Sequence, residues 1–194
     1  MTEKICSIIV ELPNKEQNYL NQNIENICRQ YNLSKKENFH LSVESSFRCR
    51  SEKFRNGLEN LSKKQSTFDV QFNRINLFEN NRDKLGLVYI TTDDDDKIRK
   101  LTELHEEVKK IISVDNGKTF VPHISLIDWG PINDVIDVVD KLQINNINLQ
   151  INELCLQKKI DFKNWKPYGR FSLTGESFTG DDFIEREELS LVFE

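Results

Sequence analysis

The sequence predicts an α+β fold built from two halves of similar content that face each other. Short β-branched runs and amphipathic helical stretches alternate along all 194 residues. Their order reads strand, helix, strand, helix, hairpin, then helix, strand, helix, hairpin, with no low-complexity linker between. One short frame around histidine also occurs twice, as Phe39-His40-Leu41-Ser42-Val43 and Pro122-His123-Ile124-Ser125-Leu126.

Residues 6–12 are apolar and β-branched and stop at Pro13-Asn14, the pattern of a strand entering a helix. Asn14 can cap that helix with Gln17 as its capping-box partner, and Leu20, Ile24, Ile27, Cys28 and Tyr31 follow at helical spacing. Residues 39–47 read as a strand, and Ser51 caps a second helix with the stripe Phe54, Leu58 and Leu61. Phe68, Val70 and Phe72 alternate, residues 75–78 continue after a bulge, and residues 85–90 return after a polar turn, making a hairpin. Thr92 and the aspartates 93–96 open a long helix, where negative charge suits the N-terminal dipole, with Ile98, Leu101, His105, Val108 and Ile112 as its stripe. Residues 120–129 form a strand ended by Gly130-Pro131, and residues 132–142 a fourth helix. Ile147, Leu149 and Ile151 alternate and lead into residues 155–160, and a last short strand spans residues 170–173.

The repeated histidine frame carries the chemistry. Two matches to it among three histidines would arise by chance roughly once in a thousand sequences of this composition. Side chains two apart on a strand share a face, so His40 projects with Ser42 and His123 with Ser125, while Leu41, Val43, Ile124 and Leu126 turn to the core. Two imidazoles flanking a cleft can remove a proton from an attacking oxygen and protonate a leaving oxygen near neutral pH. The two hydroxyls can donate to the non-bridging oxygens of a phosphate held between them. Such chemistry needs no metal and no other cofactor.

Composition narrows the substrate. Apolar residues are 37% of the chain and charged residues 30%, a globular balance, and the length suits one domain of two lobes over residues 1–175. The formal charge is −5, but residues 176–194 form an acidic tail with seven acidic residues and one basic, which leaves residues 1–175 near neutral at +1. A near-neutral body does not hold a long polyanion by charge, so a short RNA 3′ end or a small oligonucleotide fits better. No apolar run is long enough for a membrane span and no secretory leader is visible, which points to an intracellular protein, cytoplasmic or nuclear, with no membrane partner. The cysteines at 6, 28, 49 and 155 lack Cys-x-x-Cys spacing and read as reduced core thiols. One chain holds both halves, so a monomer is expected.

With its two His-x-Ser motifs, the chain resembles the 2H phosphoesterase superfamily over about residues 5–175. Its look is nearest to the family that trims the 3′ end of the U6 spliceosomal RNA, through the ordered stretches HLSVESSF, FDVQFNRINLFENNRDKLGLVYI, a long helix, FVPHISLIDWG and GRFSLTG. The resemblance implies a bilobal fold, two antiparallel-sheet lobes with helices outside and a central cleft. It also implies His40 and His123 as catalytic, Ser42 and Ser125 as phosphate-binding, and a 2′-hydroxyl attack that leaves a 2′,3′-cyclic end. That family often stacks a base on a tyrosine shortly before the second motif. Here Asp115-Asn116-Gly117-Lys118 stands there, so Phe120 and Trp129 are the candidate substitutes, with Lys118 and Arg170 as candidate phosphate contacts.

Other readings remain open on sequence alone. The same motifs serve enzymes that act on 2′,3′-cyclic phosphates, 2′-5′ oligoadenylate or cyclic oligonucleotides, and a binding module that has lost turnover would keep the cleft. Zinc binding by the two histidines lacks a third ligand at suitable spacing, and no Gly-x-Ser-x-Gly elbow marks a serine hydrolase. His105 lies on a packing stripe and is left out of the site.

Overall fold

The chain runs β1 (Lys4–Glu11), α1 (Asn14–Tyr31), β2 (His40–Cys49), α2 (Glu52–Lys64), β3 (Phe68–Phe72) and β4 (Arg74–Asn80). It continues with β5 (Leu85–Thr91), α3 (Asp95–Ile112), β6 (Ile124–Pro131), α4 (Ile132–Lys141), β7 (Ile147–Ile151), β8 (Glu153–Lys159) and β9 (Trp165–Ser172). The computed structural model describes residues 4–49, 52–113, 119–161 and 164–176.

Seven strands form one antiparallel sheet in the order β4-β5-β6-β2-β1-β8-β9, and β3 pairs with β7 in a separate ribbon. Except for β9, the chain is one arrangement used twice: strand, helix, strand, helix, strand, strand. Each unit lends its last strand to the other, β4 lying against β5 and β8 against β1. The lobes β4-β5-β6 and β2-β1-β8 meet where β2 touches β6. The helices cross over as well, α1 packing with α4 beside β6, and α3 packing with α2 beside β2.

Why these residues form these elements follows from their alternation. Leu41 and Val43 of β2, Ile124 and Leu126 of β6, and Ile8 and Val10 of β1 are buried, as are Leu20, Ile24 and Cys28 on α1 and Leu101, Leu104 and Val108 on α3. Together they make one continuous core, to which Val70, Phe72, Ile147, Leu149 and Ile151 of the ribbon contribute their inward face. Burial pushes the thiols of Cys28 and Cys155 up to about 11, so both are protonated inert core groups.

Four expectations are corrected. Asn14 is already helical and no side chain caps α1; Gln17 turns away from the helix start and bonds to Phe39 instead. A tertiary partner thus outcompetes the local capping box. Residues 75–78 do not continue the strand 68–72 across a bulge, because β3 pairs with β7 while the Asn73 N–H donates to Thr91 O and opens the β4–β5 hairpin. The chain changes sheets at Asn73, which alternation alone does not reveal. The strand expected from residue 120 joins the ladder only at Ile124, and the last strand starts at Trp165 rather than at residue 170. At α3 the expectation stands, with Asp94 capping and accepting from the N–H groups of Asp96 and Lys97. Ser51, Lys118 and the tail beyond Glu176 lie outside the described residues.

Leu41 is fully buried at the meeting point of the lobes. Leu41→Ala should destabilise the protein by about 2–5 kcal/mol, read from urea unfolding midpoints.

Candidate active site

The site is built on the contact between β2 and β6. There Leu41 stands opposite Ile124 in antiparallel register, and both side chains point into the core with no exposed surface. Carrying that register one residue each way sets His40 across from Ser125 and Ser42 across from His123. All four side chains lie on the face away from the core and are half-buried. The two histidines are diagonal neighbours, a relation that separates strand positions by about 7–8 Å. That span leaves room for a phosphate between them, with one hydroxyl beside each imidazole.

Each imidazole is held in the same way. His40 Nδ1 lies 2.9 Å from Asn38 O, and His123 Nδ1 lies 2.7 Å from Val121 O, in both cases the carbonyl two residues upstream. A carbonyl only accepts, so Nδ1 carries the proton and Nε2 is the nitrogen left for the cleft. The peptides just before the histidines are held too. Gln17 donates from Nε2 to Phe39 O at 2.6 Å and accepts from Phe39 N at 3.0 Å, while Thr91 Oγ1 donates to Pro122 O at 2.7 Å.

Burial lowers both histidines from the ordinary value. For His40 the hydrogen bond to Asn38 opposes that shift, nearby Lys36 and His123 add to it, and Glu11 opposes it. For His123 the bond to Val121 is the opposing effect. The free site therefore favours two neutral imidazoles. A negative charge placed beside either ring would favour its protonated form.

The surroundings differ on the two sides. His123 is walled by Phe78 and Tyr89, with ring centroids 4.9 and 5.3 Å away and both rings edge-on to it. Phe78 and Tyr89 stack on each other at 4.1 Å. Around His40 the walls are polar: a cleft of about 950 Å³ runs past Asn14, Gln17, Asn38, Lys36 and Trp165. Lys36 pairs with Asp128 at 2.9 Å on one wall of that cleft. The segment ahead of β2 docks on β6 through Lys36 N to Leu126 O and Asp128 N to Ser34 O, fixing that wall.

Of the other candidates, Arg170 is bound by Glu153 at 2.6 Å and Glu11 at 2.8 Å, so its guanidinium staples β9 to β8 and β1. Those carboxylates hold it above the usual arginine value. Phe120 stacks on His105 at 4.2 Å, and His105 is buried with Nδ1 against Val43 O at 2.7 Å, a packing position. Trp129 is 47% exposed. Among the described residues no group of three or more His, Cys, Asp or Glu converges as a metal cluster would. No helix there is long and apolar enough to cross a membrane. Sequence reasoning missed Gln17, Lys36, Phe78, Tyr89 and Trp165 as neighbours of the site. Tyr89 reaches the site because β5 lies beside β6, where it pairs with Ser125.

The model of the family described as the 2′-5′ RNA ligase superfamily matches residues 28–161, a span that contains both motifs. The chain belongs to this superfamily, the 2H phosphoesterases. A protein of Oceanobacillus iheyensis that carries a phosphoesterase name is 26% identical over 140 residues, covering 69% of this chain and 79% of that protein. LigT of E. coli in apo form shares the fold with a TM-score of 0.65 at 16% identity, covering 90% of this chain and 99% of LigT. LigT is also known in complex with 3′-AMP. Kluyveromyces marxianus Usb1 has the same fold at a TM-score of 0.55 and 10% identity, covering 88% of this chain and 97% of Usb1. The bilobal α+β architecture of the 2H phosphoesterases is thus the architecture of this chain.

The lowered histidines set the sign of a pH effect. An unfolded chain takes up protons at the ordinary histidine value before the folded chain does, so stability falls as pH drops through that value and levels off below the folded values. Between about pH 7 and about pH 5 the wild type should lose more stability than His40→Ala or His123→Ala, measured by urea unfolding at each pH.

Proposed function

We propose that this member of the superfamily is a metal-independent phosphodiesterase that trims RNA 3′ ends and leaves a 2′,3′-cyclic phosphate. The observation that carries the reading is the Leu41 and Ile124 register, which interleaves the two His-x-Ser motifs on one face, with each Nδ1 taken by the carbonyl two residues upstream so that Nε2 is the nitrogen left for a ligand. In this reading one imidazole takes the proton of a ribose 2′-hydroxyl as that oxygen attacks the adjacent phosphorus. The other, protonated, gives its proton to the departing 5′-oxygen, so the terminal nucleoside leaves with a hydroxyl and the shortened RNA keeps the cyclic phosphate. Ser42 and Ser125 donate to the non-bridging oxygens, where charge grows in the transition state.

Burial leaves both rings short of a proton, and the bound phosphodiester anion restores one, since an opposite charge nearby favours the imidazolium. Substrate and acid catalyst thus assemble together. The cleft of about 950 Å³ beside His40 supports a nucleotide beyond the reacting phosphate. LigT, a neighbour in fold, is known with 3′-AMP bound, which supports the same class of ligand. Both halves of the site come from one chain, in keeping with a monomer that acts inside the cell on a short RNA end.

The test is incubation with 3′-hydroxyl oligoribonucleotides, 2′,3′-cyclic nucleotides and 2′-5′ oligoadenylate in excess EDTA, with products read by mass. Trimming with a cyclic end is expected. Turnover that stops in EDTA and returns with zinc would overturn the mechanism, and opening of the cyclic phosphate alone would move the substrate to that branch. His40→Ala and His123→Ala should each lower kcat by about 10²–10⁴-fold, and Ser42→Ala or Ser125→Ala by about 10–10³-fold, in single-turnover assays. Because both free rings sit low, kcat/KM should peak on the acid side of about pH 6.5, falling above as the acid loses its proton and below as the base gains one.

A further inference from the structure

Gln17 and Thr91 lie on different elements, one in the first turn of α1 and one at the end of β5, yet they do the same thing to the two motifs. Gln17 holds both polar groups of Phe39, and Thr91 holds the carbonyl of Pro122, so each grips the residue immediately before a histidine. Proline has no N–H, which is why a single hydroxyl suffices on the second side. In each motif the next carbonyl upstream, Asn38 O or Val121 O, is the one that takes the Nδ1 proton. A peptide that rotated at Phe39 or Pro122 would swing that carbonyl away and free the ring to exchange tautomers. In the second motif the grip falls where the chain has not yet joined the ladder, since β6 begins only at Ile124.

We infer that Gln17 and Thr91 are a matched pair of positioning residues, each clamping the peptide ahead of one histidine so that its Nε2 stays bare and aimed at the cleft. Neither needs to touch substrate. The local motif determines which carbonyl is near the ring, and the clamp, reaching in from another element, determines that the carbonyl keeps facing it. The inference about turnover rests on the proposed two-histidine mechanism, whereas the tautomer does not.

The test uses Gln17→Met, Thr91→Val and Thr91→Ser in the full chain, with the tautomers of the three histidines read by nitrogen-15 NMR above the titration range. In the wild type His40 and His123 should carry the proton on Nδ1. Gln17→Met should mix the tautomers of His40 and leave His123 unchanged, Thr91→Val should do the reverse, and Thr91→Ser should retain the wild-type pattern. With an oligoribonucleotide substrate, the first two variants should lower kcat by about ten- to a hundredfold with KM within about twofold, and Thr91→Ser should recover turnover. Unchanged tautomers in both Gln17→Met and Thr91→Val would overturn the inference, as would equal disturbance of both rings by either variant, which would mark general loosening. Should Gln17→Met fail to fold, Gln17→Glu replaces it: above the histidine titration range its carboxylate can accept from Phe39 N but cannot donate to Phe39 O, so half of the clamp is lost and the tautomers of His40 should mix while those of His123 stay unchanged. A wild type silent on every substrate would remove the two-histidine mechanism and leave the tautomer result to decide the clamps.

Discussion

One antiparallel contact governs this molecule, the meeting of β2 and β6 at Leu41 and Ile124. Each lobe is a run of paired strands, and among the described residues the pairing of β2 with β6 joins them into one sheet of seven strands. It needs both side chains in the core, and their burial turns the flanking histidines and serines to the opposite face. Because strand side chains alternate with period two, a slip of one residue would bury the imidazoles and expose two leucine-sized groups. The hydrophobic requirement of the core and the geometric requirement of the site are therefore a single requirement.

The interlocking of the halves protects that contact. With β4 paired to β5 and β8 to β1, neither half of the chain completes its own lobe. The helices cross in the same sense, α1 beside β6 and α3 beside β2. Sliding one lobe against the other would break strand pairing and helix packing together, so two motifs 83 positions apart in sequence keep a fixed relation.

Electrostatics complement this rigidity. The charged groups nearest the cleft are largely satisfied by one another, Lys36 by Asp128 and Arg170 by Glu11 and Glu153. These are partly exposed pairs that add modestly to stability. The cleft beside His40 is lined by the amides of Asn14, Gln17 and Asn38 together with groups of both charges. Burial lowers both imidazoles from the ordinary histidine value, which favours their neutral forms.

The sequence by itself determined the alternation of elements, the duplicated order and the two histidine frames, because these rest on local periodicity and on residue types that chance seldom repeats. It also placed Leu41 and Ile124 inside and their neighbours outside, since a strand's two faces are written in every second residue. Only the tertiary structure decided that β3 leaves β4 to pair with β7, that Gln17 abandons its helix start for Phe39, and that Arg170 is occupied by two carboxylates. The walls of the site, Phe78 and Tyr89 on one side and Trp165 and Lys36 on the other, were likewise decided by folding. The physical reason is the same in each case: a side chain with several possible partners chooses among them by what the remote chain brings near, and pairwise proximity across tens of residues leaves no periodic trace.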